Sequence, residues 1–454
     1  MYNKTQTIED ILINLGHNVL VTKCHRKREK TWKDWYQGCN EWHNINIYNG
    51  KSNITRIRKT LNICKKMCED KADLLLNEKV NITVSESNQA LLDNVLDINN
   101  FWVQANELIE YTNAFGTGAF VEYLDNNEIS IDFVTASNIY PLRTKNKQII
   151  DCAFCTEIQQ NKGKIYFIQR HLKQNGTYVI YNDFYDDKGN KIANDTIKEV
   201  YYTKSPYPFF QIIRPNIANN FDITSCMGIS CFANAIDDVK VVDNIYDSFD
   251  AEYNLSRKRV FVDDSMLNVD YESGQTRPTF DPSDPIFQMF PGQDANSKIQ
   301  EINSAIRYDA YISGLNQALD ILSEKCGFGK GYYKFDVDNT QTATAIISQN
   351  SKLFRRIKKD EIILEKALTD MVKSILFLAG RKDEEISVSF DDSIIEDTEA
   401  LAKRKLLEIS AEIDDAVGYW TEVKGLTKEQ AIEKMTEIES RKGLTEETDI
   451  GSDV

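Results

Sequence analysis

The sequence predicts an α+β fold built from more than one module, and two observations carry that expectation. All eight prolines lie between Pro141 and Pro291, so helices can run long on either side, where nothing removes a backbone donor or clashes with the preceding turn. Between Gly118 and Ile180 short runs alternate apolar and polar residues, among them Ile129-Ser130-Ile131-Asp132-Phe133 and Lys164-Ile165-Tyr166-Phe167-Ile168. Asn, Asp and Gly separate these runs, which is the pattern of antiparallel strands. At 454 residues the chain exceeds what one hydrophobic core usually organises. A content of 41% hydrophobic and 10% aromatic residues is enough to drive folding rather than disorder.

The elements follow in order. Segment 23–42 starts with the basic run Lys23-Cys24-His25-Arg26-Lys27-Arg28-Glu29-Lys30 and continues through Trp32, Trp35, Tyr36 and Trp42. It suits a helix with a solvated basic face and tryptophans turned inward. Helix is expected from about Ile54 to Leu76 and again from about Asn88 to Phe115, before the strands. From Ile229 to Arg257, Phe232, Ile236, Val239, Tyr246, Phe249 and Tyr253 recur mostly three or four apart, which predicts a long amphipathic helix. Residues 259–303 open with Val260-Phe261-Val262 and hold Gly274, Pro278, Pro282, Pro285, Pro291 and Gly292, so a small strand-and-turn module is expected. Tyr308, Ile312, Leu315, Leu319 and Leu322 then restore helical spacing, leaving that module flanked by two helices.

Three glycines in Gly327-Phe328-Gly329-Lys330-Gly331 predict a flexible connector. After it, the stretch from Thr344 to Ala379 is apolar at Ile346, Phe354, Ile357, Leu364, Leu368, Met371, Ile375 and Leu378, and as one helix it extends on the order of 50 Å. Gly380 supplies its stop. A strand over Ile386–Phe390 precedes a helical carboxy-terminal region with a capping box at Thr427 and Gln430, and the acidic tail after Glu446 is expected to fray.

Charge and cysteine usage restrict the function. With 54 basic and 70 acidic residues the net charge is -16, so the surface as a whole should repel nucleic acid and any contact with DNA should be local or transient. Nine cysteines, scattered from Cys24 to Cys326, suit free thiols in a reducing compartment better than a disulfide framework. The start of the chain lacks a charged segment followed by an apolar run, and Ile375 to Ala379 is too short to cross a bilayer, which predicts a soluble, intracellular protein.

No motif predicts catalysis or a cofactor. His17, His25, His43 and His171 share no ligand spacing with one another or with a cysteine or carboxylate set. Cys64 and Cys68 lie four apart with no second pair to complete a metal site, so they are expected as buried or half-buried free thiols. Cys152 and Cys155 form a CxxC on a strand, without the helix start a redox centre uses. The 327–331 glycines lack the spacing of a phosphate loop, and Gly116-Thr117-Gly118 follows a helix and precedes a strand, the wrong order for dinucleotide binding.

The element order, together with three local motifs, resembles the portal proteins of tailed bacteriophages, in the branch common in siphoviruses of Gram-positive hosts. Trp35-Tyr36-Gln37-Gly38 is similar to that branch's early aromatic-aromatic-x-Gly. Thr342-Ala343-Thr344-Ala345-Ile346-Ile347-Ser348 is similar to its Thr-Ala-Thr-Glu-Val start to the long helix, with Ala345 in place of the usual acid. Phe390-Asp391-Asp392-Ser393-Ile394-Ile395 is similar to its Trp/Phe-Asp-Asp-Ser before the last helices.

The resemblance implies a portal fold and a dodecameric ring at one capsid vertex. In that scheme residues 1–230 and 380–398 form an α/β wing, 231–258 and 304–326 a two-helix stem, and 259–303 a small strand-containing clip. Residues 327–343 form a tunnel loop, 344–379 a long wing helix and 399–454 a helical crown. DNA is packaged and ejected through the ring, which docks the terminase large subunit and later the head-tail adaptor, within a head made of major capsid and scaffolding proteins. The resemblance implies assembly in the host cytoplasm into the virion, with no membrane, no enzyme activity, no cofactor and no metal. On this scheme double-stranded DNA in transit passes Asp237, Asp238, Asp243 and Asp247 on the first stem helix, and Lys330, Lys334, Asp336, Asp338 and Gln341 in the loop. An acidic wall suits weak adhesion, since each neutralised phosphate releases counterions and tightens binding.

Two other readings stand beside this one. A nucleic-acid-binding or remodelling protein would use the basic-aromatic segment 23–42 for charge and base stacking. A hydrolase would use a carboxylate pair, for which no supporting constellation is found.

Overall fold

A computed structural model describes residues 7–48, 52–76, 80–125, 128–160, 163–194, 196–256, 305–334, 343–390, 405–410 and 415–423. It also describes 428, 430–436 and 438, and the backbone of five short strands between 259 and 302. The chain forms two compact units, Met1–Val337 with Arg355–Val388, and Asp338–Phe354 with Ser389–Val454.

The first unit begins with helix α1 (Ile8–Asn14), whose first turn is closed by Thr7 and Asp10 in a reciprocal capping box. Helix α2 (Lys23–Tyr36) follows, capped by the Thr22 hydroxyl, which accepts from the His25 N–H at 3.1 Å. Strands β1 (Asn44–Tyr48) and β2 (Asn53–Ile57) pair antiparallel, Asn44 opposite Ile57. The helix expected from Ile54 therefore starts later: α3 covers Ile63–Leu75, after Asn62 turns the chain with a φ of +50°. β3 (Asn81–Thr83) precedes α4 (Glu86–Ile98) and α5 (Phe101–Phe115), where one helix was expected from Asn88. The break has a cause in two asparagines. Asn100 sits at a φ of +46°, and the Asn99 amide donates to Ile129 O at 2.9 Å while its carbonyl accepts from Ile131 N at 2.8 Å. Asparagine tolerates the left-handed region better than other side chains, and here it ties the helix joint to a strand.

The predicted strand region is antiparallel throughout. β4 (Gly118–Asp125) lies between β5 (Glu128–Thr135) and β12 (Phe210–Ile213). The larger sheet runs in order β10 (Lys191–Ile192), β9 (Thr177–Asp186), β8 (Gly163–Gln174), β7 (Gln148–Gln160), β6 (Ile139–Lys145), with β11 (Val200–Tyr202) also paired to β9. β7 contributes to two clusters because successive side chains point to opposite faces. Cys152 and Phe154 join Ala119, Val121 and Phe210 in one cluster. Ala153 and Cys155 join Ile11, Leu12, Tyr166 and Ile168 in the other.

Helix α6 (Ile236–Leu255) and helix α7 (Tyr308–Cys326) flank the strands expected between them. The start of α6 is later than Ile229 because residues 229–235 are held by the end of α5: Asn113 O accepts from Cys231 N at 2.8 Å and from the Ser230 hydroxyl at 3.2 Å. β13 (Arg259–Asp263) pairs parallel with β16 (Phe287–Phe290) and antiparallel with β17 (Ile299–Ile302), and β14 (Val269–Asp270) with β15 (Gln275–Thr276). The 36-residue helix α8 (Ala343–Leu378) matches the predicted long helix. Its stop is at Gly380, with a φ of +69°, where Arg381 N donates to Leu376 O at 2.8 Å. Strand β18 (Ser387–Ser389) follows.

In the second unit, residues 405–410 are helical and a short helix covers Ala416–Glu422, its amino end capped by Asp415, which accepts from Gly418 N at 2.8 Å. The expected capping box at Thr427 and the motif from Asp391 to Ile395 lie outside the described residues.

Candidate functional site

The acidic helix α6 carries four of the residues expected to face DNA, and the structure separates them into two groups. Asp243 and Asp247 are buried, 1% and 4% exposed. Asp243 accepts from the Leu61 N–H at 2.9 Å and the Thr60 hydroxyl at 3.0 Å, and lies 3.0 Å from the His43 ring. Asp247 takes the Arg56 guanidinium through two bonds of 2.7 Å and the Lys59 N–H at 2.9 Å. Burial alone raises the Asp247 carboxyl, but the Arg56 fork and the Lys59 amide bring it below the usual carboxylate range. These two acids do not belong to a solvated face: they dock α6 against β2 and the segment leading to α3. Removing a buried carboxylate from such donors leaves them unsatisfied.

The other two stay near the surface. Asp237 is 92% exposed and pairs with Lys240 at 2.8 Å, one turn on. Asp238 is turned toward α7 and pairs with Lys325 at 2.5 Å. At the opposite end of the pair, Arg307 holds Glu252 at 2.9 Å, and Phe249 and Tyr311 meet with ring centres 6.0 Å apart. The antiparallel helices α6 and α7 are thus clamped at both ends by ion pairs. The exposed line along α6 runs Asp237, Val241, Asn244, and contains one acid.

The connector after α7 is a packed turn, not a flexible loop, through Lys334. Gly327, Gly329 and Gly331 have φ values of +85°, +87° and +82°, which let the chain coil back on itself. Phe328 is 1% exposed, Gly331 N donates to Asp320 at 2.8 Å, and the Tyr333 hydroxyl donates to Asp70 at 2.7 Å. Burial and the Asp70 charge push the Tyr333 hydroxyl far above the ordinary tyrosine range. Lys330 and Lys334 remain exposed on this turn, Lys334 within 3.7 Å of Asp320. Asp336, Asp338 and Gln341 lie outside the described residues.

A family model described as phage portal protein, SPP1 Gp6-like, matches residues 23–441. The chain belongs to that family. Membership gives it a phage portal role, a place in the virion capsid, and assembly with copies of itself and with other parts of the phage head. No curated protein matches the chain.

The remaining candidate motifs of this portal protein are structural. In α2, Trp32 and Trp35 are buried, His25 packs edge-on to Trp32, and Arg26 donates to Ala136 O and Ile139 O at 2.7 and 2.8 Å. Trp32 and Trp35 offer no ring for base stacking, and the half-buried Trp42 has the Arg58 guanidinium 3.7 Å from its ring, which weakens the nucleic-acid reading of 23–42. Cys152 and Cys155 are buried on opposite faces of β7, in separate clusters, so they cannot form a redox pair. Cys68 lies beside Cys231 with sulfurs 3.8 Å apart, and burial pushes its thiol up. His171 is buried between Phe154 and Phe210, and burial lowers its ring to about 3. Among the described residues no group of three or more His, Cys, Asp and Glu could hold a metal ion, and no helix is long and apolar enough to cross a membrane.

Glu122 is not among the residues that the sequence singles out. It is fully buried on β4, accepts from Gln211 at 3.3 Å, and Gln211 also reaches Ser374 on α8 at 3.3 Å. Burial pushes the Glu122 carboxyl up to about 8. Glu122 stands two residues after the buried Phe120, hence on the same face of β4, which is the one sequence signal that could have marked it.

Proposed function

We propose that this chain is the portal subunit of a ring, of dodecameric symmetry, set at one capsid vertex, through which double-stranded DNA is packaged and later ejected. The match of the family model over residues 23–441 carries this reading. On it, α6 and α7 are the stem, the strands of 259–303 the clip that docks the terminase large subunit and then the head-tail adaptor, and 327–343 the tunnel loop. Residues 1–230 with 380–398 act as wing, 344–379 as the long wing helix and 399–454 as crown. An antiparallel helix pair that brackets the strands of 259–302 and joins its two helices by ion pairs at both ends supports the stem and clip assignment.

The channel surface in this reading is reduced from the residues the sequence pointed to. Asp237, Asp238, Lys330 and Lys334 stay as candidates for passing contact with phosphates, with Asp336, Asp338 and Gln341 further along the loop. An overall charge of -16 keeps adhesion low, so that a few lysines per ring touch DNA without holding it. Negative-stain microscopy and native mass measurement of the purified chain test the proposal. Large rings are expected, and a chain that remains monomeric at all concentrations refutes it.

A further inference from the structure

A cleft of about 950 Å3 opens in the first unit between the β6–β7 turn, the β8–β9 turn, β12 and the outer side of α8. On a protein of net charge -16 it is basic. Arg143 is engaged by Asp151 at 2.6 Å, but Lys145, Lys147, Lys173, Arg214 and Lys366 also line it, facing one carboxylate, Asp370. Lys147, Lys173 and Arg214 donate to backbone carbonyls, which fix their position without cancelling their charge. Lys145 and Lys366 are exposed and have no ion-pair partner among the described residues. The lining also includes Ile149, Ile212 and Ile362, the last 63% exposed. A phosphate backbone gains nothing from that apolar lining, whereas an acidic protein surface with apolar side chains meets both features.

Such a surface lies at the other edge of the same three-stranded sheet. β12 borders the cleft, and β5 is two strands away, on the order of 10 Å. There the β4–β5 hairpin presents Leu124, Asp125 and Glu128, Leu124 being 42% exposed. The Asn99 side chain ties the α4–α5 joint to β5, placing Asp97 and the exposed Ile98 beside the hairpin. Asp97, Asp125 and Glu128 are exposed and carry no ion pair among the described residues. A closed ring of identical subunits needs two different surfaces on each subunit, one for each neighbour.

We infer that the basic cleft of one subunit receives the acidic-apolar edge of the next, Asp97, Asp125 and Glu128 meeting Lys145 and Lys366 while Ile98 and Leu124 cover the apolar lining. The inference rests on the ring reading above. Its test is a charge exchange in the full chain, read by sedimentation velocity and negative-stain microscopy, with thermal melts to confirm that each variant folds. The Lys145→Glu, Lys366→Glu chain and the Asp125→Lys, Glu128→Lys chain should each lose the ring peak while melting like the wild type, and the chain with all four changes should regain it. Rings unchanged in either double variant overturn the pairing, as does a fourfold variant that stays unassembled. A double variant that fails to fold is replaced by Lys145→Gln with Lys366→Gln, or by Asp125→Asn with Glu128→Asn. Those neutral changes should shift ring formation to lower salt, and an unchanged salt dependence counts against the pairing. A wild-type chain that makes no ring overturns the ring reading itself, and the pairing with it.

Discussion

Replacing Glu122 by glutamine should stabilise the chain by an amount that grows with pH. The carboxyl has an ordinary value of 4.5 when solvated, and burial raises it to about 8 in the fold. Between those values the folded chain holds a proton that the unfolded chain releases, so the wild type loses stability as pH rises. The loss is about 1.4 kcal/mol for each pH unit above 4.5, hence about 3 kcal/mol at pH 7 and about 5 kcal/mol at pH 8, levelling off above it. These are upper values, because the unfolded chain is not fully solvated. A Glu122→Gln chain has no proton to take up, and its amide carbonyl can still accept from Gln211, which lies 3.3 Å from the carboxyl of the wild type. Thermal or urea unfolding of both chains from about pH 5 to about pH 9 measures the effect. The two curves should converge at the acid end and separate steadily toward pH 8. A constant difference across that range, or a variant less stable than the wild type at pH 8, refutes the reasoning.

Three further outcomes follow from the packing. Asp243→Ala should cost about 3–5 kcal/mol, since Thr60, Leu61 and His43 lose a shared buried acceptor, whereas Asp237→Ala, on an exposed side chain, should leave the urea midpoint close to that of the wild type. Gly228→Ala should destabilise strongly and show as a lower melting temperature, because a Cβ there would stand 2.1 Å from the Gly116 carbonyl oxygen; Gly176→Ala meets no atom within 4 Å but sits at a φ of +91°, so its smaller loss reports backbone strain alone. Lys330→Glu with Lys334→Glu should leave ring assembly intact and alter the packaging or retention of DNA, measured by nuclease protection in assembled particles; unchanged packaging removes this turn from the translocation path.

Much of the architecture was legible because it rests on local repetition. The lack of proline outside 141–291 and the three-to-four spacing from Ile346 to Leu378 correspond to a single helix, α8, and the alternation at 129–133 and 164–168 to β5 and β8. Such patterns record which side of an element meets water, and each residue needs only its near neighbours to show it. Interruptions were harder to see. The Asn99–Asn100 joint divides a continuous apolar pattern because its side chain bonds strand β5, and β2 takes Ile54 from the expected helix by pairing with β1.

The site residues show the limit most clearly. Five aspartates on α6, Asp237, Asp238, Asp243, Asp247 and Asp250, look alike in sequence, where such a run of charge reads as a solvated face. In the fold, Asp243 meets His43, 200 positions away, and Asp247 meets Arg56, 191 positions away, while Asp238 turns to Lys325 on the neighbouring helix. The sequence by itself determined the α+β class, the long helices and the alternating strands, the portal resemblance and the acidic balance of the whole. Only the tertiary structure decided which charges remain exposed, because burial and pairing of a carboxylate depend on groups brought to it from distant parts of the chain, and no local pattern carries that information.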